Sequence, residues 1–386
     1  MDVFVISIFM AAIIILFFFL FSRATISGNK SPRHAGYSGK SGSNNPAMPR
    51  PAVSNSEESQ RVLFARYPGL ADITYMPPAV GFSPLAVREL SPEAGQAVNG
   101  KIAAIKPIPV NYSALMKILR NPESKTSELS TLAMTNPVLS AKILQTINSA
   151  YFHFPDKITA VGRAVTLLGF NNVRALVLQD ALQNVIPGEQ SGQSQLAMRT
   201  WVHSAVVSVC AGYLGKNLLH CSEYELATIG LLHDLGKYFM GLLEPVGEEA
   251  PNLQPLAREE RRYGMNHAAL GSLIADKWQL SDVIVKSIEY HHHPTYLPPE
   301  SIPEPYRQYS FIINLSDLIC KALGYKTGED ELFPVKEEYY TLFQLNPDPL
   351  AFISPELVKK IEVTHLTLQS YMAVGDPLAA SQEQAL

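Results

Sequence analysis

His233 and Asp234 stand side by side in the run Gly230-Leu231-Leu232-His233-Asp234-Leu235-Gly236-Lys237, where the flanking pattern reads as an apolar helix. An imidazole and a carboxylate inside such a helix are costly to bury unless they are paired or bound to a metal. A lone buried histidine is ordinarily a hydrogen-bonded core residue, but this one has company. His203 lies 30 residues before His233 and His267 lies 34 after it. His291, His292 and His293 follow in Glu289-Tyr290-His291-His292-His293-Pro294, and Asp317 closes the set in Asn314-Leu315-Ser316-Asp317-Leu318. Each sits in or at the end of a largely apolar segment. Imidazole and carboxylate together suit iron, manganese, nickel or zinc, and a bridging carboxylate can hold two such ions about 3.5 to 4 Å apart. Residues so far apart in sequence meet only through the packing of several helices, as in metal sites at the centre of helical bundles. Spacing alone leaves that convergence open.

The helices that would carry these residues have explicit punctuation. Asn136-Pro137 reads as N-cap and first residue of a helix through Ala150, with Val138, Leu139, Ile143, Leu144 and Ile147 as its apolar face. Gly169 separates a helix over Ile158 to Leu168 from one starting near Asn171 or Asn172. After a linker near 186–196, helical periodicity resumes from Leu196 to about Tyr325. Strand-like alternation is hard to find, and no fixed-period repeat stands out. The expectation is an all-α chain with two helical lobes. The break at Gly169 has the outline of a helix-turn-helix, but Arg163 and Arg174 are the sole basic residues from Ile158 to Leu182. The following Ala175-Leu176-Val177-Leu178 reads as buried rather than base-reading, which favours a packing pair over a DNA reader.

Upstream the character changes. From Val3 to Phe21 the chain runs 19 residues without a charge and with Ser7 as the one polar residue. At about 1.5 Å per residue that length crosses a hydrocarbon core of ~30 Å. A cleaved signal peptide would carry a basic start and a shorter apolar stretch, whereas here Asp2 precedes the run and no clear small-residue cleavage site follows it. The reading preferred is a single transmembrane helix within residues 1–23, in contact with the lipid bilayer through residues 3–21. Arg23, Lys30, Arg33, Lys40 and Arg50 follow before the first acidic residue, Glu57, so the rest of the chain is expected on the cytoplasmic side of the inner membrane. Residues 24–60, rich in Ser, Gly, Asn and Pro, read as a flexible linker. Residues 61–100, interrupted by Pro68, Pro77, Pro78, Pro84 and Pro92, read as short helices or an irregular arm.

Composition sets outer limits. Of the 386 residues, 47% are apolar and 17% charged, enough for a sizeable core and unlike a disordered chain. A net charge of -4 gives no global reason to bind nucleic acid. The basic excess of residues 101–185, 9 Lys and Arg against 4 acids, is matched by an acidic excess over 201–325, 9 against 14. A solvated face or a contact between lobes accounts for that asymmetry as well as nucleic acid does. Cys210, Cys221 and Cys320 show no CxxC spacing, so neither a disulfide framework nor a cysteine zinc site is indicated.

The order His, His-Asp, His, His-His, Asp resembles the ligand order of the HD superfamily of metal-dependent phosphohydrolases, and its context resembles the HDOD family in particular. That context is Asn136-Pro137-Val138-Leu139-Ser140-Ala141-Lys142, continuing through Ile147-Asn148-Ser149-Ala150-Tyr151, Ile158 to Val161, and Ala164-Val165-Thr166-Leu167-Leu168-Gly169. The resemblance covers roughly residues 101–325, leaving 326–386 as a C-terminal helical extension and tail. It implies a two-lobed helical HD-like bundle. It also implies one metal site of His203, His233, Asp234 and Asp317 and a second of His267, His291 and His292 with Asp234 as bridge. His293 is then the variable position, and Lys237 lies near any bound phosphate. The HD-GYP relatives that hydrolyse cyclic di-GMP carry His-His-Glu and then Asp-Gly-x-Gly-Tyr-Pro. This chain instead runs from His291-His292 into His293-Pro294-Thr295-Tyr296, which argues against that activity. The function expected from the resemblance is a membrane-tethered signalling module that recruits signalling proteins. A metal-dependent phosphohydrolase holding one or two divalent ions is the alternative.

Overall fold

The computed structural model describes residues 57–375, except 75–78, 80, 106–124, 126–127, 131–136, 150–151, 153, 155–156, 184–190 and 329–331. These residues fall within one compact unit, residues 53–386. The apolar run over 3–21, residues 24–56 of the expected linker and Asn136 lie outside the described residues. Among the described residues no helix is long and apolar enough to cross a membrane.

The described residues contain helices and no strand. The arm carries α1 (Glu57–Arg66), α2 (Gly69–Thr74), a 3-10 turn (Val87–Glu89) and α3 (Pro92–Ala104). Helix thus begins inside the stretch read as linker, because Leu63 and Phe64 of α1 pack on the core, and Leu70 and Ile73 of α2 are buried. Next come α4 (Pro137–Ile147), α5 (Val161–Leu168) and α6 (Phe170–Gln183). The remaining helices are α7 (Ser191–Leu218), α8 (Glu223–Leu232), α9 (Pro255–Tyr263), α10 (His267–Lys277), α11 (Asp282–Tyr290), α12 (His293–Tyr296), α13 (Glu304–Ala322), α14 (Glu337–Leu342) and α15 (Pro355–Gly375). Three boundaries differ from the sequence reading. α4 stops at Ile147 rather than Ala150, α5 starts at Val161 rather than Ile158, and α7 starts at Ser191, inside the expected linker. Asn148 accounts for the first two, because its side chain exchanges hydrogen bonds with the backbone N–H and carbonyl of Ile158 and holds that segment in an extended turn.

α7 organises the fold. Trp201, Ala205, Val206, Val207, Cys210, Ala211 and Leu214 are all buried. A helix apolar on most sides requires neighbours on most sides. α7 has them in α8, α13 and α15, and α15 also packs on α4 and α6. The two lobes expected from sequence therefore share one continuous apolar core, bridged by a C-terminal helix outside the stretch of family resemblance.

Candidate metal centre

α8 starts at Ser222, whose hydroxyl accepts the Glu225 N–H at 3.3 Å, and buries every residue from Leu226 to Leu232. His233 and Asp234 do not lie inside that helix, as the sequence pattern led us to expect. His233 caps α8, and Asp234 occupies the turn into a 3-10 segment, Leu235–Tyr238. The turn is forced by close packing at Gly236. A Cβ there would stand 1.9 Å from the carbonyl oxygen of His267 and 2.8 Å from the amide of Gly271. Only glycine allows α10 to approach so closely, and that approach brings His267 to Asp234.

The seven residues singled out in the sequence converge. His203, His233 and Asp317 form one trio, and His267, His291 and His292 gather with Asp234 in the other. Asp234 stands between them. Its Oδ2 is 3.7 Å from His203 Nε2 and 3.5 Å from His233 Nε2, while its Oδ1 is 3.1 Å from His267 Nε2 and 3.9 Å from His291 Nε2. His203 Nε2 is 2.9 Å from Asp317 Oδ1, and His267 Nε2 is 3.0 Å from His292 Nε2. His293 points elsewhere, against the ring of Tyr290 at 4.9 Å between centroids.

The far side of the imidazoles determines which nitrogen faces inward. His203 Nδ1 is 2.7 Å from the Tyr325 carbonyl, His233 Nδ1 2.8 Å from the Gly230 carbonyl and His291 Nδ1 2.7 Å from the Ile288 carbonyl. A carbonyl can only accept, so each Nδ1 carries the proton and each Nε2 presents a lone pair to the cluster. Those three Nε2 atoms, with Asp234 Oδ1 and Asp317 Oδ1, are buried without a hydrogen-bond partner of good geometry. Several lone pairs aimed at one another in a dry interior repel unless a cation lies among them. This donor set fits divalent ions of the iron, manganese, nickel or zinc kind.

The electrostatics agree. Burial pushes His233 down to about 4, against the pull of Asp234 and Asp317. Burial, then the neighbouring His233 and His267, hold His291 well below its ordinary value, and burial with His291 and His267 does the same to His292. Neutral imidazoles are the form that ligates. His267 differs. Burial opposes its charge, but Glu259, 2.7 Å from Nδ1, and Asp234 outweigh it and raise its pKa. Asp234 is buried, yet His233, Lys237 and His267 keep it well below the usual carboxylate range. Lys321, 2.7 Å away, and His203 do so for Asp317.

A cleft of about 490 Å³ opens onto the cluster, lined by His267, His292 and Asp317. Lys237, Arg258, Arg262 and Lys321 add positive charge to its walls, and Tyr263, Tyr296, Leu332 and Phe333 add apolar surface. Lys237 Nζ sits 2.8 Å from Asp234 Oδ2 and 3.3 Å from Thr327 Oγ1, at the boundary between cleft and cluster. Glu259 and Lys321 were not singled out from sequence. Lys321 lies one helical turn after Asp317, a spacing that could have flagged it. Glu259 is one of several charges on α9, and nothing distinguishes it until the helix is packed.

Comparison with known proteins places this architecture. Residues 105–294 match the model of the HDOD domain. A provisionally named phosphohydrolase from Shewanella amazonensis SB2B superposes with a TM-score of 0.52 at 21% identity, covering 71% of this chain and 98% of its own. A provisionally named signal transduction protein from Marinobacter aquaeolei VT8 gives 0.52 at 16%, covering 72% of this chain and 66% of its own. An uncharacterized protein of Treponema pallidum is 22% identical over 216 residues, 54% of this chain, which spans 41% of that relative's length. At these identities the structural likeness concerns the fold. Six candidate ligands, from His203 to His292 with Asp234 at their centre, fall within the segment that matches the HDOD model, and Asp317 follows beyond its end.

Proposed function

We propose that this protein is a metal-dependent phosphohydrolase of the HD type, held by its N-terminal segment at the cytoplasmic face of the inner membrane. One observation carries the reading. Asp234 turns one carboxylate oxygen toward each trio, the arrangement a carboxylate adopts between two cations. His203, His233 and Asp317 would hold one ion, and His267, His291 and His292 the other. When bound, such ions lower the pKa of a coordinated water and neutralise phosphoryl charge.

The chain's own groups supply the rest. Tyr325, Gly230 and Ile288 hold three imidazoles in the ligating tautomer through their carbonyls, and Glu259 fixes the fourth. Lys321 holds Asp317 in place from the cleft side. Lys237 has its ammonium at the cleft boundary, where it can exchange Thr327 for a phosphate oxygen while keeping Asp234. Arg258 and Arg262 at the mouth suit the anionic remainder of a phosphate ester. The missing Asp-Gly-x-Gly-Tyr-Pro element argues that the ester is not cyclic di-GMP.

A second reading rests on the apolar run of residues 3–21 and the polar stretch after it. On this reading the domain recruits signalling proteins to the membrane surface, with the ions serving structure or sensing. One comparison separates the two. Wild type, an Asp234→Ala form and a form lacking residues 1–23 are assayed for bound metal, phosphoesterase turnover on generic esters and crosslinked partners. The phosphohydrolase reading expects Asp234→Ala to lose both ions and all turnover, with the anchorless form still active. Partner capture that survives Asp234→Ala, with no turnover in wild type, would favour recruitment.

A further inference from the structure

The arm before residue 105 lies outside the HDOD match, yet part of it is stitched to the metal centre. The stitching is by backbone. Leu85 N–H donates to Glu260 Oε1 at 2.8 Å, and the Leu85 carbonyl accepts from Asn266 Nδ2 at 3.1 Å. Val87 N–H donates to Glu289 Oε1 at 2.9 Å. Each anchor is one or two residues from a group that fixes the second trio. Glu260 follows Glu259, which holds His267 through both its amide and Nδ1. Asn266 is the N-cap of α10, whose first residue is His267, and Glu289 precedes His291 by two residues.

The trio needs such ties because all three histidines sit where helices begin or end. His267 opens α10, His291 caps α11 and His292 precedes α12. Helix ends lack half their ladder bonds and open most easily. Glu289 is only 2% exposed, and its other oxygen is taken by Lys286 at 2.7 Å. Without the Val87 N–H, a desolvated carboxylate oxygen two residues before His291 would lack a donor. The arm also reaches the cleft, where Phe82 packs edge-on to Tyr296 at 5.1 Å.

We propose that residues 82–89 are a positioning strap for His267, His291 and His292, and that the ion assigned to this trio binds tightly only while Leu85 and Val87 are docked on Glu260, Asn266 and Glu289. This rests on the metal-centre reading above.

The test uses the full chain purified in detergent, stripped of metal and titrated with Mn2+, with bound ions counted by elemental analysis and folding checked by thermal melting. Glu289→Met keeps the side-chain length but removes the acceptor, whereas Glu289→Gln keeps an oxygen for the Val87 N–H. Val87→Pro removes the donor instead. It suits the backbone, because Ala86 at φ -85° and ψ 158° already has the conformation that precedes proline. Wild type and Glu289→Gln should bind two ions. Glu289→Met and Val87→Pro should keep one with unchanged affinity and weaken the other about 10- to 100-fold, the usual effect of losing a ligand's outer support. Should the methionine form fail to fold, Val87→Pro carries the same test with Glu289 in place. Folded variants that hold both ions as wild type does overturn the strap and leave the metal centre standing. A wild-type chain that takes up fewer than two ions overturns the two-ion reading, and the strap with it.

Discussion

His203 lies in the middle of α7 and Asp317 in the interior of α13, where neighbouring turns on both sides fix the backbone. His267, His291 and His292 occupy helix ends instead. The outer supports differ in kind as well. His203 and His233, and in the second trio His291, lean on backbone carbonyls, while His267 leans on the Glu259 side chain, and the helix ends that carry the second trio are tied to an arm about 200 residues upstream. Two of the three members of the first trio are thus rigid by virtue of their elements, His233 at the end of α8 being the exception, whereas every histidine of the second trio depends on its attachments. Substitutions outside the ligands should therefore discriminate between the trios, with the second the easier to disturb.

The largest effect should come from the contact both trios share. Gly236→Ala puts a methyl group against the His267 backbone, separating Asp234 from α10. We expect a loss of roughly 3 kcal/mol or more, the upper range for overpacking, together with loss of both ions. Thermal melting and metal analysis check this; a stable variant that loses the His267 trio's ion alone would mean Asp234 does not couple the two.

Acid should act on both trios when metal is absent. The unfolded chain takes up a proton at His233 near pH 6.5, whereas the folded chain refuses it until about pH 4. Stability therefore declines as pH falls through that window, by roughly 3 kcal/mol for this residue at about 1.4 kcal/mol per pH unit. His291 and His292 act in the same direction. His267, whose pKa is raised, acts oppositely, its contribution being complete below its unfolded pKa and lost as pH rises through the folded one. Denaturant melts of chelated protein should show a net loss from pH 7 to 5, and a flat profile would mean the imidazoles are not held neutral.

A smaller effect should fall on the second trio alone. Glu259→Ala removes the acceptor for His267 N–H and Nδ1. It should weaken one ion about 10- to 100-fold, or 1.4 to 2.8 kcal/mol, and leave the other unchanged. Equal weakening of both ions in a calorimetric titration would contradict the independence of the two supports.

How legible was this in the sequence? The candidate ligands were, because an imidazole or carboxylate in an apolar stretch costs so much to bury that its residue type is a signal, although it took the family resemblance to separate His291 and His292 from His293. Helical character was legible from period and punctuation, as at Pro137 where α4 starts and at Gly169 between α5 and α6, and so was the role of Pro84 and Pro92 in breaking the arm. Their placement at helix ends was not. His233 and Asp234 read as helix interior because the apolar pattern runs straight through them, and it is the approach of α10 at Gly236 that ends the helix. Glu259, the Tyr325 carbonyl and the Val87 N–H were invisible for a related reason. A backbone donor is the same in every residue, and a surface-type glutamate looks like its neighbours until a fold puts a histidine 2.7 Å away. The sequence by itself determined which atoms could bind a cation, since that is a property of side chains. Only the tertiary structure decided that one carboxylate faces both trios and that an arm outside the matched segment is tied to the helix ends of one of them, since those depend on contacts between residues up to about 200 positions apart.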